Sequence, residues 1–123
     1  MAVLLAVASV TGSACGGAEI ELSERAARGQ EVAERAGCAA CHGGLDTDAT
    51  IGPSWVGSWG TEVLLDDGRR VVFDADHVRR SVREPDADRL AGDWMRMPAY
   101  GPDQISAEEL DDIVEYLRAL GSP

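Results

Sequence analysis

The chain has 123 residues, the size of a single domain, with 22 acidic against 11 basic side chains and a net charge of −11. So acidic a surface excludes nucleic acid as a partner and suits a basic redox protein, attracted by long-range steering; plain solubility explains the same charge equally well. Aromatic residues are only 5% of the chain and helix formers abound, which favours a small helical domain over a sandwich.

Residues 1–14 carry no charge and end in small residues. They are too short to span a bilayer and read as the apolar part of an export signal, though the usual positively charged start is missing. Gly12-Ser13-Ala14 before Cys15 is similar to a bacterial lipoprotein signal, in which the cysteine becomes the lipidated first residue. Gly12 departs from that pattern, where an aliphatic residue is usual. The expectation is a lipid anchor on Cys15 and a location at the periplasm or the outer face of the cytoplasmic membrane. Residues 15–22 follow as a tether, and residues 23–123 form the domain.

Ser23 is a good N-cap for a helix that runs to Ala36 and stops at Gly37. Gly29 lies in its interior, where glycine costs about 1 kcal/mol relative to alanine. A close approach by another helix is the packing reason it invites.

Next comes Cys38-Ala39-Ala40-Cys41-His42, the C-x-x-C-H pattern of covalent c-type haem attachment. On a helical turn, residues three and four apart share a face. Cys38 and Cys41 can therefore each form a thioether to one vinyl group, while His42 points the same way toward the iron. A zinc knuckle needs four ligands, and only Cys15 and His77 remain to complete one. A thioredoxin-like pair needs a βαβ surround that is absent, and a chance occurrence stays open from five residues alone.

Beyond the motif, Gly52-Pro53-Ser54-Trp55 supplies a carbonyl at Pro53 suited to fixing the second ring nitrogen of a ligand histidine. Trp55 and Trp59 either wall a haem, donate to one of its propionates, or pack in the core. Two apolar runs flank Asp67-Gly68 between Glu62 and Phe73, which predicts a β-hairpin. A helix capped by Asp74 or Asp76 then runs through Val78 and Val82 and ends before Pro85. His77, in its first turn, is expected to be exposed, with iron ligation as the rarer alternative.

Residues 86–104 show little periodicity, and a long loop in a small domain usually has a function. It contains Met95-Arg96-Met97-Pro98-Ala99-Tyr100. A thioether is a soft ligand for haem iron and raises its reduction potential; the alternative is that both methionines fill the core. Pro98 restricts the backbone of Met97, so Met97 loses less freedom on ligation than Met95. Met95 is expected at the haem edge. Ser106 to Glu109 is a capping box, opening a helix with apolar residues from Leu110 to Leu120 and a stop at Gly121.

In this order the segments resemble a class I, monohaem cytochrome c over residues 23–120. More narrowly, they are similar to the cytochrome c domain of caa-type cytochrome oxidase subunit II. The resemblance implies an all-α cytochrome c fold, three to four helices around one covalent haem c with a small hairpin insertion. It implies that Cys38 and Cys41 anchor the haem, with His42 and Met97 as axial ligands and Pro53 and Trp55 beside it. It also implies single-electron transfer between respiratory-type partners rather than enzymatic turnover. The alternatives are a haem enzyme or gas sensor with a displaceable sixth ligand, or a haem subunit of a larger oxidase or dehydrogenase. With 37 residues ahead of Cys38, the expectation is a separate carrier or a detached domain. Class I cytochromes often have an aromatic residue where this chain has Ala33, which predicts a looser contact with Tyr116.

Overall fold

The computed structural model describes residues 19–121. The expected export signal, Cys15 and residues 16–18 of the tether lie outside the described residues. The elements in chain order are α1 (Glu24–Arg35), α2 (Ala39–His42), β1 (Glu62–Leu64), β2 (Arg70–Val72), α3 (Ala75–Arg83) and α4 (Ala107–Leu120). No helix among the described residues is long and apolar enough to cross a membrane.

Packing of α1 on α4 is the main interhelical contact. The helices α1 and α4 begin where their caps dictate. The Ser23 hydroxyl accepts from the Ala26 amide, and Ser106 and Glu109 cap each other's backbone reciprocally. Leu110, Ile113, Leu117 and Leu120 recur at helical spacing and are all nearly solvent-free. Full burial of such a side chain stabilises by roughly 1.5–3 kcal/mol.

Gly29 has the packing role expected of it. A Cβ at that position would overlap the backbone carbonyl of Asp112 on α4. The two helices cross in contact there, and the polar groups at the crossing are paired. Asp112 is only 4% exposed, and its two carboxylate oxygens accept from Arg25 Nε at 2.8 Å and Arg28 Nε at 3.0 Å. These partners, Arg25 first and Arg28 second, hold its carboxyl below the ordinary carboxylate range.

The hairpin forms where Asp67-Gly68 predicts it, with Glu62 opposite Val72 and Leu64 opposite Arg70. Gly68 takes φ +86°, the left-handed region that a glycine enters without strain. The hairpin is more than an appendage. Leu65 bridges to Leu90, the Asp66 amide donates to the Arg89 carbonyl at 2.9 Å, and Arg69 Nη2 donates to the Ala87 carbonyl at 2.8 Å. It thereby braces the loop between α3 and α4.

Two expectations need correction. His77 is not exposed: its relative exposure is 4%, because it shares the inward stripe of α3 with Val78 and Val82. The looseness expected at Ala33 is also absent. Ala33 and Tyr116 are both fully buried, and the Tyr116 hydroxyl accepts from the Leu45 amide at 3.3 Å while its ring meets Trp55 edge-on.

Candidate functional site

The C-x-x-C-H stretch forms a single helical turn. Gly37, at φ +79°, ends α1 and turns the chain, and the amides of Cys41 and His42 then both donate to the Cys38 carbonyl at 3.1 Å. Cys38 is buried and Cys41 half-buried, and both carry free thiols. Burial pushes the Cys38 thiol up, against a lesser lowering by a backbone hydrogen bond.

The following loop is tied to the end of that turn. The amides of Thr50, Ile51 and Gly52 converge on the Cys41 carbonyl, at 3.0, 3.3 and 3.1 Å. This brings Pro53 to His42, where the Pro53 carbonyl lies 2.9 Å from Nδ1. A carbonyl only accepts, so Nδ1 carries the proton and the Nε2 lone pair of the neutral ring is free for a metal. Three further features hold the imidazole. Gly52 lies so close that a Cβ there would come within 2.6 Å of Cε1. Trp55 stacks on the ring, centroids 4.9 Å apart and planes 5° from parallel. Burial depresses the pKa of His42, against the opposing pull of the Pro53 carbonyl and of Asp93, so the neutral ligand form is favoured.

Cys38, Cys41, His42, Pro53, Trp55 and Met97 all line one cleft, closed further by the apolar faces of α3 and α4. The cleft is about 210 Å³ and opens to solvent on one side. Trp59, by contrast, packs edge-on against Phe73 under the guanidinium of Arg118, so it belongs to the core.

The methionine loop is bolted down just after Pro98. The Tyr100 amide donates to the Val82 carbonyl at 2.9 Å, and the Tyr100 hydroxyl donates to the Ala36 carbonyl at 3.1 Å. Arg83 donates to the carbonyls of both Tyr100 and Ile105. Met97 is half-buried against the core, whereas Met95 is 46% exposed beside an even more exposed Trp94.

The donor set fits a covalent haem. Two thiols and an imidazole share one helical turn, and a thioether from a restrained loop reaches the same cleft. His77, which the sequence offers only as a rarer alternative ligand, and Asp88, which it does not single out, also line it. For His77 the signal was present, since residues 77, 78, 81 and 82 form one helical stripe; for Asp88, in a loop, there was none.

A helical domain of this topology, with a C-x-x-C-H turn and a methionine loop on one cleft, is a cytochrome c domain, the haem-binding module of electron transport. The family described as cytochrome c oxidase, cbb3-type, subunit III matches residues 24–117, and the chain belongs to that family. The narrower likeness to caa-type subunit II is no part of this match. Comparison with curated proteins gave no match.

Proposed function

We propose that the protein is an exported carrier of single electrons, holding one haem c covalently through Cys38 and Cys41, with His42 and Met97 as the axial ligands. The observation that carries this reading is His42. Its Nδ1 is spent on the Pro53 carbonyl and its Nε2 is left free, on the same turn as two free thiols.

The bound haem supplies a one-electron couple at its iron. The protein's own residues do the rest. Pro53, Gly52 and Trp55 fix the imidazole, so no ring reorientation accompanies electron exchange. Pro98 and the anchored Tyr100 hold a weak thioether in place, and His/Met ligation favours a raised potential. Ile51, Trp94 and Met95 are exposed at the mouth of the cleft and offer an apolar contact for a partner. The net charge of −11 favours a basic docking surface on that partner.

Anchoring through Cys15 completes the reading and rests on the apolar run that precedes it. Unmodified Cys15 in mature native protein, found by mass spectrometry, would contradict it. A second reading, a haem subunit of a terminal oxidase complex, is favoured by the description of the family. Co-purification with an oxidase core decides between the two.

The test of the carrier is purification from the exported fraction, with visible spectra in both redox states and a carbon monoxide challenge. A reduced spectrum unchanged by carbon monoxide is expected. Ready carbon monoxide binding would point instead to an enzyme or gas sensor with an open sixth position.

A further inference from the structure

His77 stands out among the residues of the cleft because it is a buried titratable group to which the electron-carrying reading assigns no task. Its side chain is 5% exposed, and Nδ1 lies 3.3 Å from Oδ2 of Asp88, whose own side chain is 1% exposed. Asp88 is held by two arginines besides: Arg80 Nε donates to Oδ2 at 2.6 Å and Arg69 Nη2 to Oδ1 at 3.3 Å. Burial alone would raise the Asp88 carboxyl, but the hydrogen bonds from Arg80 and His77 outweigh it and leave it below the ordinary range. Asp88 is therefore an ionised acceptor, and His77 Nδ1 carries a proton.

The other ring nitrogen then faces the cleft. Nε2 has no hydrogen-bond partner among the described residues, yet none of their buried side-chain nitrogens or oxygens lacks one. Nε2 is accordingly open, and the space His77 lines is the cofactor cleft.

The charged groups around the ring are largely paired. Arg69 and Arg80 are matched by Asp67 and Asp88, since Arg69 Nε also donates to Asp67 at 2.7 Å. On α3 itself, the Asp74 carboxylate is spent on the amides of Asp76 and His77, and Asp76 faces Arg79. In the adjoining loop Asp86 pairs with Arg96, Arg89 faces Asp66, and Asp93 is exposed. The α4 side chains in the cleft, Ile113 and Leu117, are uncharged. A protonated His77 with Arg69 and Arg80 is balanced by Asp67, Asp88 and Asp74, whose charge the neutral amides do not cancel, so what the ring offers the cleft is the open Nε2 itself.

We propose that His77 is a further cofactor-binding residue, donating from Nε2, as an imidazolium tethered by Asp88, to a carboxylate of the group held in the cleft. The inference rests on the reading of that group as haem c, whose propionates supply such carboxylates. Arg69, reaching from the hairpin, and Arg80 are positioning residues that keep Asp88 ionised and the ring oriented.

This arrangement links the electron to a proton. An added electron is favoured by the nearby positive charge, so the reduction potential is higher while His77 is protonated and falls when the proton leaves Nε2. The electron comes from the redox partner and the proton from solvent. At the limit of one proton per electron, each pH unit would move the potential by about 59 mV.

The experiment is a redox titration of the intact haem-loaded protein from about pH 5 to 8, the range in which histidine charge changes. The wild type and His77→Gln are compared. The wild-type potential is expected to fall with rising pH. His77→Gln keeps a hydrogen-bond donor but no titrating charge, and is expected to flatten that fall with the visible bands unchanged. A flat wild-type profile, or a variant that retains the wild-type profile, overturns the proposal. Nitrogen-15 spectra of the reduced wild type serve if the variant fails to fold: Nε2 of His77 must gain and lose a proton across the same range, and an unchanging ring overturns the proposal. Wild-type protein without haem bands contradicts the carrier itself, an outcome distinct from a flat profile.

Discussion

Replacing Gly29 by alanine tests the packing that holds the domain together. On an isolated helix the change would stabilise by about 1 kcal/mol. Here the new methyl group meets the carbonyl of Asp112 and, within 2.9 Å, the amide nitrogen of Ile113. Both are backbone atoms of α4 and cannot swing aside as a flexible side chain would. Relief requires α4 to move, which disturbs the contacts of Arg25 and Arg28 with Asp112 at the same crossing. Overpacking of this kind costs about 3 kcal/mol, the upper end of its usual range. The net loss is about 2 kcal/mol, which for a domain of this size lowers Tm by roughly 8–16 °C. Thermal melts of the haem-loaded protein, followed by far-ultraviolet circular dichroism, measure it. A variant at least as stable as the wild type would refute the argument that glycine is present for close approach.

The remaining predictions concern ligation, acid and salt. Met97→Ala should open the iron to carbon monoxide, lower the potential and remove the weak sulfur-to-iron band of the oxidised form, while Met95→Ala should leave the band in place. The reverse pattern would exchange their roles. The depressed pKa of Asp112 contributes stability that is present above the ordinary carboxylate value near pH 4 and is lost as pH falls through the lower folded value. Asp112→Asn should therefore melt earlier than wild type at neutral pH, with the gap narrowing in strong acid; a pH-independent gap would count against the ion pairs as its source. Association with a basic redox partner should slow markedly as salt rises through physiological strength, since the exposed charges of a −11 chain are screened. A salt-independent electron-transfer rate would leave solubility as the meaning of that charge.

Much of the frame is legible in the residues because its signals are local. Ser106 and Glu109 mark a helix start within four residues, and Asp67-Gly68 marks a hairpin within two. Gly29 is legible for a different reason: an expensive residue in a helix interior implies a neighbour, although Asp112 itself could not be named in advance. The Pro53 contact with His42 follows from the chemistry of a carbonyl that has no N–H beside it. What escapes is what the tertiary fold assembles. His77 has the appearance of an exposed helix-start residue until Asp88, eleven positions on, and Arg69, from the hairpin, are brought around it. The bracing of the 86–93 loop by the hairpin is likewise a matter of pairing across the fold, which no window of sequence contains.

Covalent attachment at the C-x-x-C-H turn is the central claim, and the most direct measurement is the mass of the proteolytic peptide that spans Cys38 to His42. The account predicts that this peptide carries one haem through both cysteines and that acidified organic solvent leaves the haem on the protein. A peptide of unmodified mass, with haem extracted into the solvent or none present, would contradict it.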